Sequence, residues 1–320
     1  MGNLRAHLPC GLFIVFMKGG LLVTQSINSL KQNTAQLSVI ATSLLLILKL
    51  LIGMYTSSIS IISEAVHSAV DLLATLIAYY AVRKSSSSPD ADHHYGHGKF
   101  ENLSGASEAL LIITAALWII YEAYEKYNHA NFPVYLEYGM IVMLVSIIVN
   151  YFVSRKMMIV AKQTRSPALE ADALHLQTDI WTSGSILVGL FFLSLTGWSW
   201  IDSAIAIIVA LVILKTGYSM IKKNISELTD ISLPPNEEQL ISEIINQHDQ
   251  VISLYQLRTR HSGSYRLIDM HLILDKHMPL NKAHAICDQL EATIKHQLGT
   301  CDVMIHLEPD KGKSSFTPNN

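Results

Sequence analysis

Six stretches of this chain are each long and apolar enough to cross about 30 Å of hydrocarbon. They lie near residues 37–56, 58–82, 103–126, 134–157, 168–196 and 200–221. Lipid offers the backbone no hydrogen-bond partner, so a chain that crosses it repeatedly in runs of this length must cross as helices. Composition agrees. Half of the 320 residues are hydrophobic and 15% are charged, against roughly 25% in soluble domains. A net charge of −3 gives no sign of a nucleic-acid partner.

The links between spans alternate. Those after the second and fourth spans carry Arg83, Lys84 and Lys99, then Arg155, Lys156, Lys162 and Arg165, and Lys222 and Lys223 follow the sixth. The other links hold no Lys or Arg. Positive charge marks the cytoplasmic side, so both termini are expected there, with Trp198 and Trp200 at the outer interface. Residues 1–36 read as a cytoplasmic, poorly ordered leader, and 37–222 as the membrane domain. Cys10, Cys287 and Cys301 form no CxxC pair, which suits reduced thiols.

From about Asp230 the pattern turns soluble. A helix is expected over Glu237–Gln247 behind Pro234 and Pro235, and strands over Val251–Arg260 and Tyr265–Leu274. A second helix follows at Asn281–Gln297, and a last strand at Asp302–Leu307. The αββαβ order over residues 230–310 predicts a small open α+β sheet with helices on one face, of ferredoxin or metallochaperone type. Residues 311–320 read as a disordered tail.

Ionisable groups inside a membrane are costly and point to function. The second span carries Glu64-Ala-Val-His67-Ser-Ala-Val-Asp71, and the fifth carries Asp172-Ala-Leu-His175-Leu-Gln-Thr-Asp179. His and Asp four apart share one helical face. Two such pairs on neighbouring helices offer two nitrogens and two oxygens at similar depth, a set suited to a tetrahedral dication and to zinc above all. Glu64 and Asp172, three residues before each His, read as vestibule groups rather than ligands. Lys49, inside the first span, either snorkels or pairs with a carboxylate and receives no transport role. Glu108 and Asn150 read as packing groups. An intramembrane metalloenzyme is disfavoured, because HExxH is absent and four protein ligands leave no open position for a catalytic water.

Six spans, HxxxD in the second and fifth, and an αββαβ tail resemble the cation diffusion facilitators over roughly residues 35–310, the bacterial zinc and iron exporters in particular. The resemblance implies a non-enzymatic, multi-pass transporter of the cell's inner membrane that exports a divalent cation, most readily zinc, by alternating access in exchange for protons. It also implies a homodimer whose tails sense metal. On this chain the transport site falls on His67, Asp71, His175 and Asp179. His67 stands where members of broader range often have Asp. Export of Fe, Cd, Mn or Co, or a membrane sensor that does not transport, are the alternatives.

The loop after the second span reads Asp90-Ala-Asp-His-His-Tyr-Gly-His97-Gly-Lys99. The resemblance makes Asp90, His93 and His97 a loop zinc site. It makes His271, His284, His306 and Glu308 a regulatory site in the tail, of which His306 and Glu308 share a sheet face by their spacing. Tyr255 stands where some members have a ligating His, which puts a second tail metal in doubt, with His261 as a substitute. The resemblance further implies an interlocking salt bridge between Lys99 and Asp230.

Overall fold

The computed structural model describes residues 20–56, 59–128, 136–196 and 200–310. Residues 311–320, Trp198 and the leader before Gly20 lie outside this set. Six long helices come first: α1 (Gly20–Thr56), α2 (Ile59–Ser85), α3 (Lys99–Asn128), α4 (Leu136–Thr164), α5 (Pro167–Thr196) and α6 (Trp200–Leu228). Five of them hold apolar stretches of 22 to 29 residues, more than the roughly 20 needed to span a bilayer. In α5 the tail-side half is interrupted by Glu170, Asp172, His175 and Asp179.

α1, α2, α4 and α5 share one core, built on Val82, Val153, Met157, Leu169 and Leu176. α3 lies along α6 and joins α5 through Ala109, Ile112, Ala116, Ala171 and Ile213. The many alanines let helix backbones approach where lipid supplies no hydrophobic drive for association.

The expected leader is corrected in part. Residues from Gly20 onward are helical and continue into the first span. Lys31 and Thr34 turn inward and are buried, which the polar look of this segment concealed.

The tail follows the expected order: α7 (Pro235–Asn246), β1 (Ser253–Ser262), β2 (Tyr265–Leu274), α8 (Leu280–Leu298) and β3 (Cys301–Pro309). β2 is central, antiparallel to β1 and parallel to β3. Ile268, Met270, Leu272 and Leu274 alternate onto one face and pack against Ile241 and Ile245 of α7 and Ile286, Leu290 and Ile294 of α8. His271, of the other parity, belongs to the opposite face.

The β1–β2 hairpin docks on the tail-side end of the helices. Gly263 at its tip has φ +58, and a Cβ there would stand 2.4 Å from Gly98 O. A Cβ on Gly98 would stand 2.2 Å from Ser262 O. Both glycines are therefore required for this approach. Gly263 N–H donates to Asn102 Oδ1 at 3.0 Å. Lys31 Nζ donates to Ser264 Oγ at 3.0 Å and to Glu101 Oε1 at 2.7 Å. Glu101 also accepts from Ser85 Oγ at 2.6 Å and from Ser166 Oγ. Lys31 and Glu101 are both fully buried, so the loss of either one leaves a desolvated charge unpaired, typically a cost of about 3–5 kcal/mol.

Candidate metal transport site

α2 and α5 bring the two HxxxD pairs together. Asp71 Oδ1 is the common neighbour, 3.3 Å from His175 Nε2 and 3.9 Å from His67 Nε2. Ligand atoms of His67, Asp71 and Asp179 lie within 4.8 Å of one another. His175 is buried beneath them and its Nδ1 has no hydrogen-bond partner among the described residues. The four thus meet around one carboxylate, though not yet at metal-bond distances.

A cavity of about 30 Å³ opens beside them, lined by His67, Asp71 and Asp179 and also by Lys49, Glu64, Ser68, Ser146, Asn150, Thr182 and Ser183. Glu64, Thr182 and Ser183 lie beyond the four toward the end opposite the tail, so the cavity extends to that side. On the tail side stand Asp172, which accepts from Thr75 Oγ1 at 3.1 Å, and Glu108, whose two carboxylate oxygens are buried without a hydrogen-bond partner among the described residues. Asn150, read as a packing group, proves to be a wall of the cavity. Lys49 donates to Glu64 Oε1 at 2.9 Å and to Ser68 Oγ at 2.6 Å. Of its two readings, the carboxylate pair is the one observed.

In the loop, Asp90 Oδ1 lies 3.1 Å from His93 Nδ1 and Asp90 Oδ2 lies 3.1 Å from His97 Nε2. Asp90 also accepts the backbone N–H groups of His93 and Asp92. Burial opposes its charge, but these donors and the His97 imidazole outweigh it and hold the carboxyl at about 2. His97 is buried, and neither of its ring nitrogens makes an aligned hydrogen bond among the described residues. An orphaned buried imidazole beside a second imidazole and a carboxylate fits a bound dication.

In the tail, His271 and His306 are register partners on β2 and β3, with ring centroids 4.6 Å apart. Glu308 Oε1 reaches His271 Nδ1 at 3.0 Å. These three form a cluster that fits a dication. His284 does not join it. Its imidazole is exposed on α8, beside Asp288 at 3.9 Å, and α8 packs on the sheet face opposite His271. Four ligands therefore do not assemble within one chain. Tyr255 meets His271 ring to ring at 6.4 Å. His261, half-buried, is pushed down to about 4 by burial and by the Arg266 guanidinium, and stands outside the cluster.

Lys99 Nζ and Asp230 Oδ1 are 2.8 Å apart, and Arg260 reaches Asp230 Oδ2 at 3.0 Å. The hydrogen bond from Lys99, aided by that from Arg260, holds the Asp230 carboxyl below its ordinary value. Both partners are more than a third exposed, so the pair itself contributes under about 1 kcal/mol.

Residues 35–229 match the cation efflux transmembrane domain, and 233–310 match the cytoplasmic domain of cation efflux proteins. The chain belongs to the cation diffusion facilitator family of cation efflux proteins. Relatives of similar length match most of the chain. The cation-efflux pump FieF of Shigella boydii is 33% identical over 287 residues, 90% of this chain and 95% of that one. An uncharacterised transporter of Synechocystis is 32% identical over 262 residues, 82% and 84% of the two chains. A solved chain described as CzrB, a proposed zinc transporter, covers 24% of this facilitator and 98% of itself at 28% identity, with a TM-score of 0.24. As a facilitator, the chain is a multi-pass membrane transporter of divalent metal cations.

Proposed function

We propose that the protein exports zinc from the cytoplasm in exchange for protons, through the site formed by His67, Asp71, His175 and Asp179. Both termini are cytoplasmic in this reading, and two copies work as a homodimer. The observation that carries it is the gathering of the His67 and His175 imidazoles and the Asp179 carboxylate around the Asp71 carboxylate. Two nitrogens and two oxygens on facing helices favour four-coordination, which zinc accepts readily. Such ligands bind metal only when deprotonated, so protons arriving from outside expel it. The loop cluster of Asp90, His93 and His97 and the tail cluster of His271, His306 and Glu308 hold regulatory metal.

A wider metal range is the second reading. It is favoured by the third carboxylate, Glu64, in the same cavity, because oxygen-rich sites suit manganese and ferrous iron.

Zinc flux into sealed proteoliposomes tests the site. Asp179→Ala is expected to abolish flux while the protein still inserts and dimerises, because a dication in low dielectric loses its countercharge. Near-normal flux through this variant sinks the assignment. Absence of flux through the unaltered protein would favour a sensor.

A further inference from the structure

A dication site gains from carboxylates and loses from a fixed ammonium. Lys49 nevertheless lines the same cavity as Asp71 and Asp179, with its side chain 7% exposed. Snorkelling does not account for it. Its Nζ is turned sideways onto α2 by two short hydrogen bonds, to Glu64 Oε1 and Ser68 Oγ. Eighteen residues separate it from Lys31 at the tail-side end of α1, about 27 Å of helix. Glu64 lies three residues before His67, toward the end of α2 opposite the tail. The carboxylate of the pair therefore lies on the exit side of His67, and the ammonium bridges from it to Ser68, level with the ligands.

We propose that Lys49 is a resident counter-cation of the transport cavity: it keeps Glu64 in a neutral pair and weakens the hold of the four ligands on zinc, so that metal is released to the exit side. The proposal rests on the cavity being the metal route. Asp71, Asp179 and Glu64 are three carboxylates gathered around one small cavity. Left to themselves they would retain a dication strongly, and a transport site has to bind loosely enough to let go. One fixed positive charge corrects this without a further proton. The Lys49 side chain is buried, so its field is screened less than that of a surface charge.

The charge model makes a signed prediction. Lys49→Met leaves Glu64 as an uncompensated negative charge near the site. It should lower the zinc KM by about tenfold or more and lower kcat with it, because release slows. Glu64→Gln leaves the ammonium uncompensated and should raise KM. The double variant restores the net charge and should return KM close to that of the unaltered protein, and Lys49→Arg should do the same. Zinc flux in proteoliposomes of the full chain gives both constants for the metal route alone. If Lys49→Met and Glu64→Gln shift KM in the same direction, or Lys49→Met leaves it unchanged, Lys49 is only a packing group and the proposal fails. Where Lys49→Met does not insert, a double variant that stays at the Glu64→Gln value overturns the proposal equally. Asp179→Ala separates this failure from that of the site itself. If it still transports, the cavity is not the route; if it is dead while the Lys49 signs are wrong, only the counter-cation role falls.

Discussion

Of the four clustered residues, Asp71 is the one whose carboxylate comes within 4 Å of an imidazole on each of the two helices, His67 at 3.9 Å and His175 at 3.3 Å, among the described residues. His67, by contrast, has a half-exposed side chain, so it can be exchanged without breaking the buried part of the site. An imidazole nitrogen favours zinc over manganese and ferrous iron, which take carboxylate oxygen more readily. His67→Asp is therefore expected to keep zinc transport and to admit iron, manganese or cadmium more freely. Competitive flux of each metal against zinc, variant beside unaltered protein, reads this out; an unchanged selectivity ratio removes His67 as the discriminating ligand. The clustering of His67, Asp71, His175 and Asp179 was legible because the i, i+4 spacing of one helix face is a local rule. Lys49 was visible as a charge in a span, but its direction was not, since the partner lies on another helix. That His284 stands apart from His271 within one chain was hidden for a similar reason. Its spacing says that it faces out of α8, while the parity of β2 sends His271 to the far side of the sheet, and the two facts meet only in three dimensions.

The elements that join tail to helices are held in costly conformations. Arg165 and Asp230 both have positive φ, at +52 and +63. Each closes the end of a helix, α4 and α6, with a backbone bond reaching back five residues, Ser166 to Ala161 and Ile231 to Ser226. Glycine usually fills this position, and another residue there costs on the order of 1 kcal/mol. These two residues are also the ones that clasp the tail. Arg165 pairs with Glu237 of α7, and Asp230 pairs with Lys99 and Arg260. The strain is thus spent on aiming charges. Glu237 also accepts from Arg266 Nε at 2.8 Å. Burial alone would raise its carboxyl, but the hydrogen bonds from Arg266 and Arg165 outweigh that and hold it below its ordinary value. A carboxyl depressed in the folded state contributes stability above its unfolded pKa of about 4.3 and loses it as pH falls through the folded value. Glu237→Gln is accordingly expected to lower the thermal midpoint at pH 7 and to flatten its decline at acid pH. Equal slopes of midpoint against pH in variant and unaltered protein would dismiss the clasp. The tail's strands were legible to within a few residues, because alternation is written into each one. The clasp was not, apart from Lys99 and Asp230. Lys31 and Glu101 are seventy residues apart, and no local pattern announces a contact at that separation.

At the scale of the whole molecule, a pump needs a second ion to give its cycle direction. The cavity extends toward the end opposite the tail, while Asp172 and Glu108 close the tail side as buried acids. In the proposed exchange, zinc held by His67, Asp71, His175 and Asp179 in such a state would face the exit and have to be displaced for the cycle to turn. Protons are the natural competitor, because every one of the four ligands takes either a proton or the metal. The exchange is also directional. A proton that binds from the outside lowers metal affinity only while the site is open there, and on the cytoplasmic side, at higher pH, the same ligands are freed to bind again. In oriented vesicles an inward proton gradient is therefore expected to accelerate zinc export, and an ionophore that collapses it should slow export. The comparison is made over about pH 6 to 8, the window in which physiological gradients lie. Zinc flux indifferent to the gradient across that range would leave the metal's own concentration difference as the sole driving force and would end the exchange reading.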